Sequence, residues 1–195
     1  MTTPRLRRDA ARNWQQIVDV GQRLVEQGSP LRLNDVAQQA SVGVATVYRH
    51  FPTPEALLET IALPSLEKLA DEADRAVEHS SQNAWEAFSG FFVAGIDAQL
   101  ADAAVQPVVA AGSPVLPRTA ELLARVLNAI GRLIERAHSA GAIRADVTQA
   151  DVTRLLCGVV FAGSVHTDGN DRAALTRRYL NVVLAGLRAT PGHQR

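Results

Sequence analysis

Apolar positions recur at helical spacing along the whole chain and nowhere alternate in the two-residue period of a strand, so the sequence reads as all-helical. A first helix is expected from about Asp9 to Gln27, where Trp14, Ile17, Val18, Gly21, Leu24 and Val25 form one stripe; Gly28-Ser29-Pro30 ends it. Two short helices follow. In the first, Val36, Ala37 and Ala40 share a face, with Asn34, Gln38 and Gln39 opposite. Ser41 and Gly43 break the pattern, and Gly43 suits either a positive φ or a modest N-cap. Val44, Val47 and Phe51 then repeat at i, i+3 and i+7, locking the second helix onto the first. Thr46, Arg49 and His50 project away from that core, with Tyr48 at its edge.

Pro54 is well placed as the first residue of a long helix running toward Val77 through Leu57, Leu58, Ile61, Leu66, Leu69 and Ala73. Pro64 lies within it and must kink or interrupt it. Asn83 with Glu86 reads as an N-cap pair, opening a helix with Trp85, Phe88, Phe92 and Ile96 on one face and Phe91 beside them. Residues 112–117 form a break. The helix from about Arg118 to Ser139 is apolar over much of its circumference and is expected to be central and surrounded. Thr148 with Asp151 resembles a capping box, starting a helix to about Val165. A turn at Asp168-Gly169-Asn170 leads to a last helix, about Asp171 to Leu187, and residues 191–195 are expected to be a disordered tail.

Two short helices joined by a Gly-containing turn form the helix-turn-helix pattern, whose second helix lies in the major groove of DNA. An ordinary helical corner with a solvated polar face shares the same local pattern. On the first reading, the hydroxyl and imidazole groups of Thr46, Tyr48 and His50 suit phosphate oxygens. Arg49 can reach guanine O6 and N7 bidentately, and Val44 and Ala45 can pack against thymine methyls. Arg5, Arg7, Arg8 and Arg12 form a basic arm toward the backbone or minor groove.

The residues Asp35-Val36-Ala37, Ala40-Ser41-Val42, Thr46-Val47-Tyr48-Arg49-His50-Phe51 and Glu55-Ala56-Leu57 make this segment resemble the TetR family of one-component repressors. The close match covers roughly the first 60 residues. Gly43 and Pro54 depart from the Ser or Thr cap and the Lys or Arg that the family usually carries there. The resemblance implies a helix-turn-helix DNA-binding domain at residues 1–53 and a helical effector-binding and dimerisation domain at 54–190. It implies a homodimer formed through a four-helix bundle of the last two helices, with Leu155, Val159, Leu180, Val183, Leu184 and Leu187 at the interface. It also implies a pocket for a small, hydrophobic or aromatic effector, lined by Trp85, Phe88, Phe92, Leu123, Val126, Leu127 and Ile130, whose binding releases operator DNA.

Composition agrees with that picture once the charge is divided. The chain has 195 residues, 20 basic and 20 acidic, and no net charge. Residues 1–51 hold seven Arg against four acids, so they carry +3, while the remainder, 13 basic against 16 acidic, carries −3. The asymmetry steers one end toward phosphate. Lys68 is the only lysine, which leaves basic contacts to arginine. A single cysteine, Cys157, excludes an internal disulfide framework and any thiolate metal cluster. No apolar run of membrane-spanning length and no leader pattern occurs, so a cytoplasmic setting is expected. The competing reading is a small helical metal-binding or enzymatic bundle with a coincidental turn motif. Glu135 and His138 have the Glu-x-x-His spacing of di-iron bundles, yet no second copy occurs, and no nucleophile–base grouping or phosphate loop can be placed. Neither enzymatic activity nor a metal or other cofactor is expected.

Overall fold

The computed structural model describes residues 4–165 and 171–189, with side chains from residue 8 onward. Among the described residues the protein is all-helical, with no strand. The helices are α1 (Pro4–Glu26), α2 (Leu33–Gln39), α3 (Val44–His50), α4 (Pro54–His79), α5 (Ala84–Ala101), α6 (Val105–Ala111), α7 (Pro117–Ser139), α8 (Gln149–Ser164) and α9 (Arg172–Leu187). The turn expected at Asp168–Asn170 and the tail at residues 191–195 lie outside the described residues. No single described helix is long and apolar enough to cross a membrane, although α5 and α6 together, bent by 116°, pass on length and composition alone.

The chain divides into two compact units. The first comprises Met1–Pro64 and Asp102–Ala120, the second Ser65–Ala101 and Glu121–Arg195. In the first unit Ile17, Val20 and Leu24 of α1 are buried with Leu33, Val36, Ala37, Val47, Phe51, Leu57 and Ile61. Gly21 lets α1 close on α4, since a methyl there would stand 3.0 Å from Ile61 Cδ1 and 3.1 Å from Leu57 Cδ2. α1 starts at Pro4, five residues before the expected position, because a proline suits the first helical turn. Trp14, expected in the core, is 38% exposed; it sits at the end of the buried stripe, with its ring 6.2 Å from that of Phe51. The short helix α6 had no counterpart among the expected elements. The unit also buries a charge: Glu59, 4% exposed, accepts hydrogen bonds from the backbone N–H groups of Val115 (2.6 Å) and Leu116 (2.8 Å).

α4 runs unbroken through Pro64, so the proline costs the Thr60 carbonyl its helical partner without ending the helix. The boundary between the two units falls immediately after it. In the second unit Phe88, Phe92, Ile96, Leu122, Ile130, Leu133, Val152, Leu156 and Val160 are buried. α4 and α7 are joined there by Arg125, which donates to Asp71 (2.9 Å) and Asp74 (2.6 Å), and by Arg136, which donates to the Val77 carbonyl and Ser80 Oγ. α7 is not surrounded as expected. Leu122, Ala129, Ile130, Leu133 and Ala137 are buried, but Glu121, Leu127, Asn128, Arg132 and Glu135 face solvent, because polar residues interleave on one side and make the helix amphipathic. α8 begins with a complete capping box: Thr148 Oγ1 accepts from the Asp151 N–H (3.2 Å) and Asp151 Oδ2 accepts from the Thr148 N–H (2.9 Å). α9 is tied back through Arg144 N–H to Leu187 O (3.0 Å) and Ala189 N–H to Ala142 O (3.1 Å).

Candidate nucleic-acid interface

α2 ends at a tight corner whose positive φ belongs to Ser41 (φ 53°), not to Gly43. Val42 N–H bonds the Ala37 carbonyl at 3.0 Å and Ala40 N–H bonds Val36 at 2.9 Å, closing the turn on the backbone of α2. Gly43 (φ −61°, ψ 136°) is the extended N-cap of α3; its carbonyl accepts from Thr46 and Val47 at 2.8 and 3.2 Å, with no side chain to cap. At the other end Phe51 N–H bonds the Val47 carbonyl (2.8 Å). Thr53 Oγ1 then accepts from the Ala56 N–H (3.2 Å) and caps α4, a role for which Thr-Pro-Glu, with the composition of a helix start, is the sequence signal.

Val47 (0% exposed) and Phe51 (3%) are the residues that seat α3. Val44, expected to share that work, is instead 48% exposed, because as the first residue of the helix it lies beyond the reach of α2. Val44, Ala45, Tyr48 and Arg49 therefore form one continuous outward face, at i, i+1, i+4 and i+5. Tyr48 belongs to this face rather than to its edge. Thr46 and His50 are half-covered at its flanks. Among the described residues His50 Nε2 is buried without a hydrogen-bond partner, and its ring lies 6.3 Å from Phe51. Arg8 and Arg12 are exposed along α1; the Arg5 side chain lies outside the described residues, although its backbone is helical. The outward face thus offers an aliphatic edge, a phenol and a guanidinium from a seven-residue helix.

The residues named for an effector pocket are mostly packed interior. Phe88, Phe92, Val126 and Ile130 are buried, with Trp85, Phe88 and Phe92 in successive ring contact at 6.2 Å. Trp85 and Leu123 are half-buried, Leu127 is exposed, and Arg188 lies 4.9 Å over the Trp85 ring. A cleft of about 450 Å³ lies elsewhere in the second unit, between Ser65, Lys68 and Glu72 of α4 and Val93, Asp97 and Ala98 of α5. None of the seven residues lines it. Of the residues named for a dimer interface, Val159, Leu180 and Leu187 are buried within the subunit, while Leu155, Val183 and Leu184 are half-buried. The apolar surface of α8 and α9 that does face outward is Phe161 (64% exposed) and Val182 (66%), with Val165 and Tyr179. Among the described residues no group of three or more His, Cys, Asp or Glu could hold a metal. His138 Nε2 instead lies 3.0 Å from the Arg144 carbonyl, and burial pushes the Cys157 thiol pKa up.

An all-helical chain that presents α3 in this way has the architecture of a helix-turn-helix transcriptional regulator. Residues 80–189 match a TetR C-terminal family described as transcriptional regulator SbtR-like, C-terminal domain. A TetR transcriptional regulator from Streptomyces coelicolor is similar over 90% of this chain and 98% of its own, at 30% identity and a TM-score of 0.53. The chain belongs to the TetR family of transcriptional regulators. The same fold is shared with PfmR from Thermus thermophilus (20% identity, 97% of this chain and 100% of that one, TM-score 0.59). It is also shared with the ketosteroid transcriptional regulator KstR2 of Mycobacterium tuberculosis (18%, 92% and 96%, TM-score 0.60). No curated protein sequence matches it.

Proposed function

We propose that the protein is a homodimeric repressor that holds operator DNA through α3 and releases it when a small apolar or aromatic effector binds. The observation that carries this reading is the outward face Val44–Ala45–Tyr48–Arg49 on a helix anchored by Val47 and Phe51. Residues 1–53 act as the DNA-binding domain and 54–190 as the effector and dimerisation domain. Arg49 reads guanine, Val44 and Ala45 meet thymine methyls, and Tyr48, Thr46, His50, Arg5 and Arg8 neutralise or bond phosphates. One short helix binds too few base pairs to compete with genomic DNA, so a two-fold pair must set two α3 helices one duplex turn apart, about 34–36 Å.

Phe161 and Val182 support the pairing, since large apolar side chains so far exposed on adjacent elements mark an association surface. The effector would act by favouring the form whose α3 helices no longer match adjacent grooves. Glu135, His138 and Cys157 have no catalytic role in this proposal. The reading is tested by fluorescence anisotropy on the duplex upstream of the protein's own gene, titrated with salt. Binding should weaken steeply as salt rises and should beat a scrambled duplex. Equal, salt-insensitive binding to both would overturn it.

A further inference from the structure

Glu59 is a buried carboxylate with no cationic partner among the described residues. Its charge is met by two backbone N–H groups, those of Val115 and Leu116, immediately before the first residue of α7. That residue is Pro117, which has no N–H of its own, so the carboxylate takes the donors at the positive end of a 23-residue helix. An apolar side chain at this position would leave both amides without their acceptor. What a carboxylate adds is direction: the two bonds form together or not at all. Two residues to either side, about half a turn round α4, Leu57 and Ile61 lie against Gly21 of α1 and are buried with Val47, the anchor of α3. α4 and α7 are also the two helices whose chains continue from the first unit into the second.

We propose that Glu59 is a positioning residue for DNA binding, a latch that fixes α4 to the start of α7 and so keeps the first unit, which carries α3, in its DNA-competent form. The inference rests on the repressor reading above and names a contact that sets that repressor's affinity for DNA. With the latch closed, α3 meets the groove pre-set. With it open, the first unit samples other arrangements of its own helices, and only the competent fraction binds.

The test compares wild type with Glu59→Gln, which keeps the shape but replaces one acceptor by a donor facing the Val115–Leu116 amides. Val115→Pro removes a donor from the other side at a half-exposed position, and serves if Glu59→Gln does not fold. Two quantities are read on each full-length variant: hydrogen exchange of individual amides, and affinity for the duplex upstream of the protein's own gene. In Glu59→Gln, exchange at Val115 and Leu116 should accelerate, exchange at Val47 and Phe51 should stay at the wild-type rate, and DNA affinity should fall by about tenfold. Val115→Pro should lose affinity in the same direction. A variant whose Leu116 amide opens while its DNA affinity stays at the wild-type level overturns the latch. So does one that loses affinity only in step with a general loss of protection at Val47 and Phe51. If wild type itself does not prefer the duplex, the repressor reading fails first and takes the latch with it.

Discussion

Thr176 of α9 rides directly on Gly163 of α8: a methyl added to Gly163 would stand 3.1 Å from Thr176 Cβ and 3.2 Å from its Cα. Both residues are buried, and Thr176 Oγ1 already donates to the Arg172 carbonyl (2.8 Å), so neither side can yield without moving a helix. Gly163→Ala should therefore destabilise the protein by about 1–3 kcal/mol despite its better helix propensity, because overpacking outweighs the propensity gain. Gly158 on the same helix has nothing within 4 Å of an added methyl, so Gly158→Ala should be neutral or stabilising. Urea denaturation of the pair decides it. Equal midpoints would mean that α8 and α9 are not in close contact at this point.

The capping box of α8 should make stability depend on pH. Asp151 is held below the ordinary carboxylate range by the hydroxyl of Thr148 and then by its backbone N–H. Arg144 does the same for Asp146. A carboxylate whose folded pKa is depressed adds stability that is complete above about pH 5 and is lost as the pH falls through about 4 and below. Thermal melts from pH 7 to pH 3 should show this decline, and Asp151→Asn should flatten part of it. Thr148→Ala should cost about 0.5–2 kcal/mol at neutral pH. A wild type and an Asp151→Asn variant with parallel pH profiles would remove the box as the cause.

What could be read from the sequence follows from the range of each interaction. The α2–α3 corner and the Thr148–Asp151 cap are built from neighbours within a turn or two, so spacing alone revealed them. α8 and α9 were visible as helices, but both are apolar around much of their circumference. Periodicity therefore did not say which face turns inward, and buried Val159 and Leu180 were named while exposed Phe161 and Val182 were not. The same ambiguity holds for Phe88 and Phe92, whose spacing is equally that of packed interior and of a pocket wall. Glu59 was invisible for a different reason. Its partners are backbone amides 56 and 57 positions away, and a backbone amide carries no residue-type signal.

Phe161 and Val182 lead to a prediction about assembly. Each exposes about two-thirds of its surface, so charge there should hardly disturb the subunit, within about 0.5 kcal/mol. In a paired state the same charge would be buried against apolar surface. Phe161→Glu should thus weaken association by about 2–4 kcal/mol while leaving helical content unchanged. Sedimentation velocity across a concentration series reads the shift from dimer to monomer. A dimer as tight as wild type would exclude this surface.

Arg49 separates base recognition from simple attraction to phosphate. It is exposed on the outward face of α3, two residues after the buried anchor Val47, so removing its side chain leaves the seating of the helix intact. A guanidinium bonded to guanine O6 and N7 adds discrimination at one base position, whereas a phosphate contact adds the same affinity on every sequence. Arg49→Ala should therefore cost about 1–3 kcal/mol on the cognate duplex and relax preference at one position in each half-site. Arg49→Lys should keep the charge but lose the fork, retaining non-specific affinity while failing to restore that preference. Binding measured across a panel of single-base variants resolves the two roles. A uniform loss over the whole panel would place Arg49 on phosphate and leave base reading to Val44, Ala45 and Tyr48.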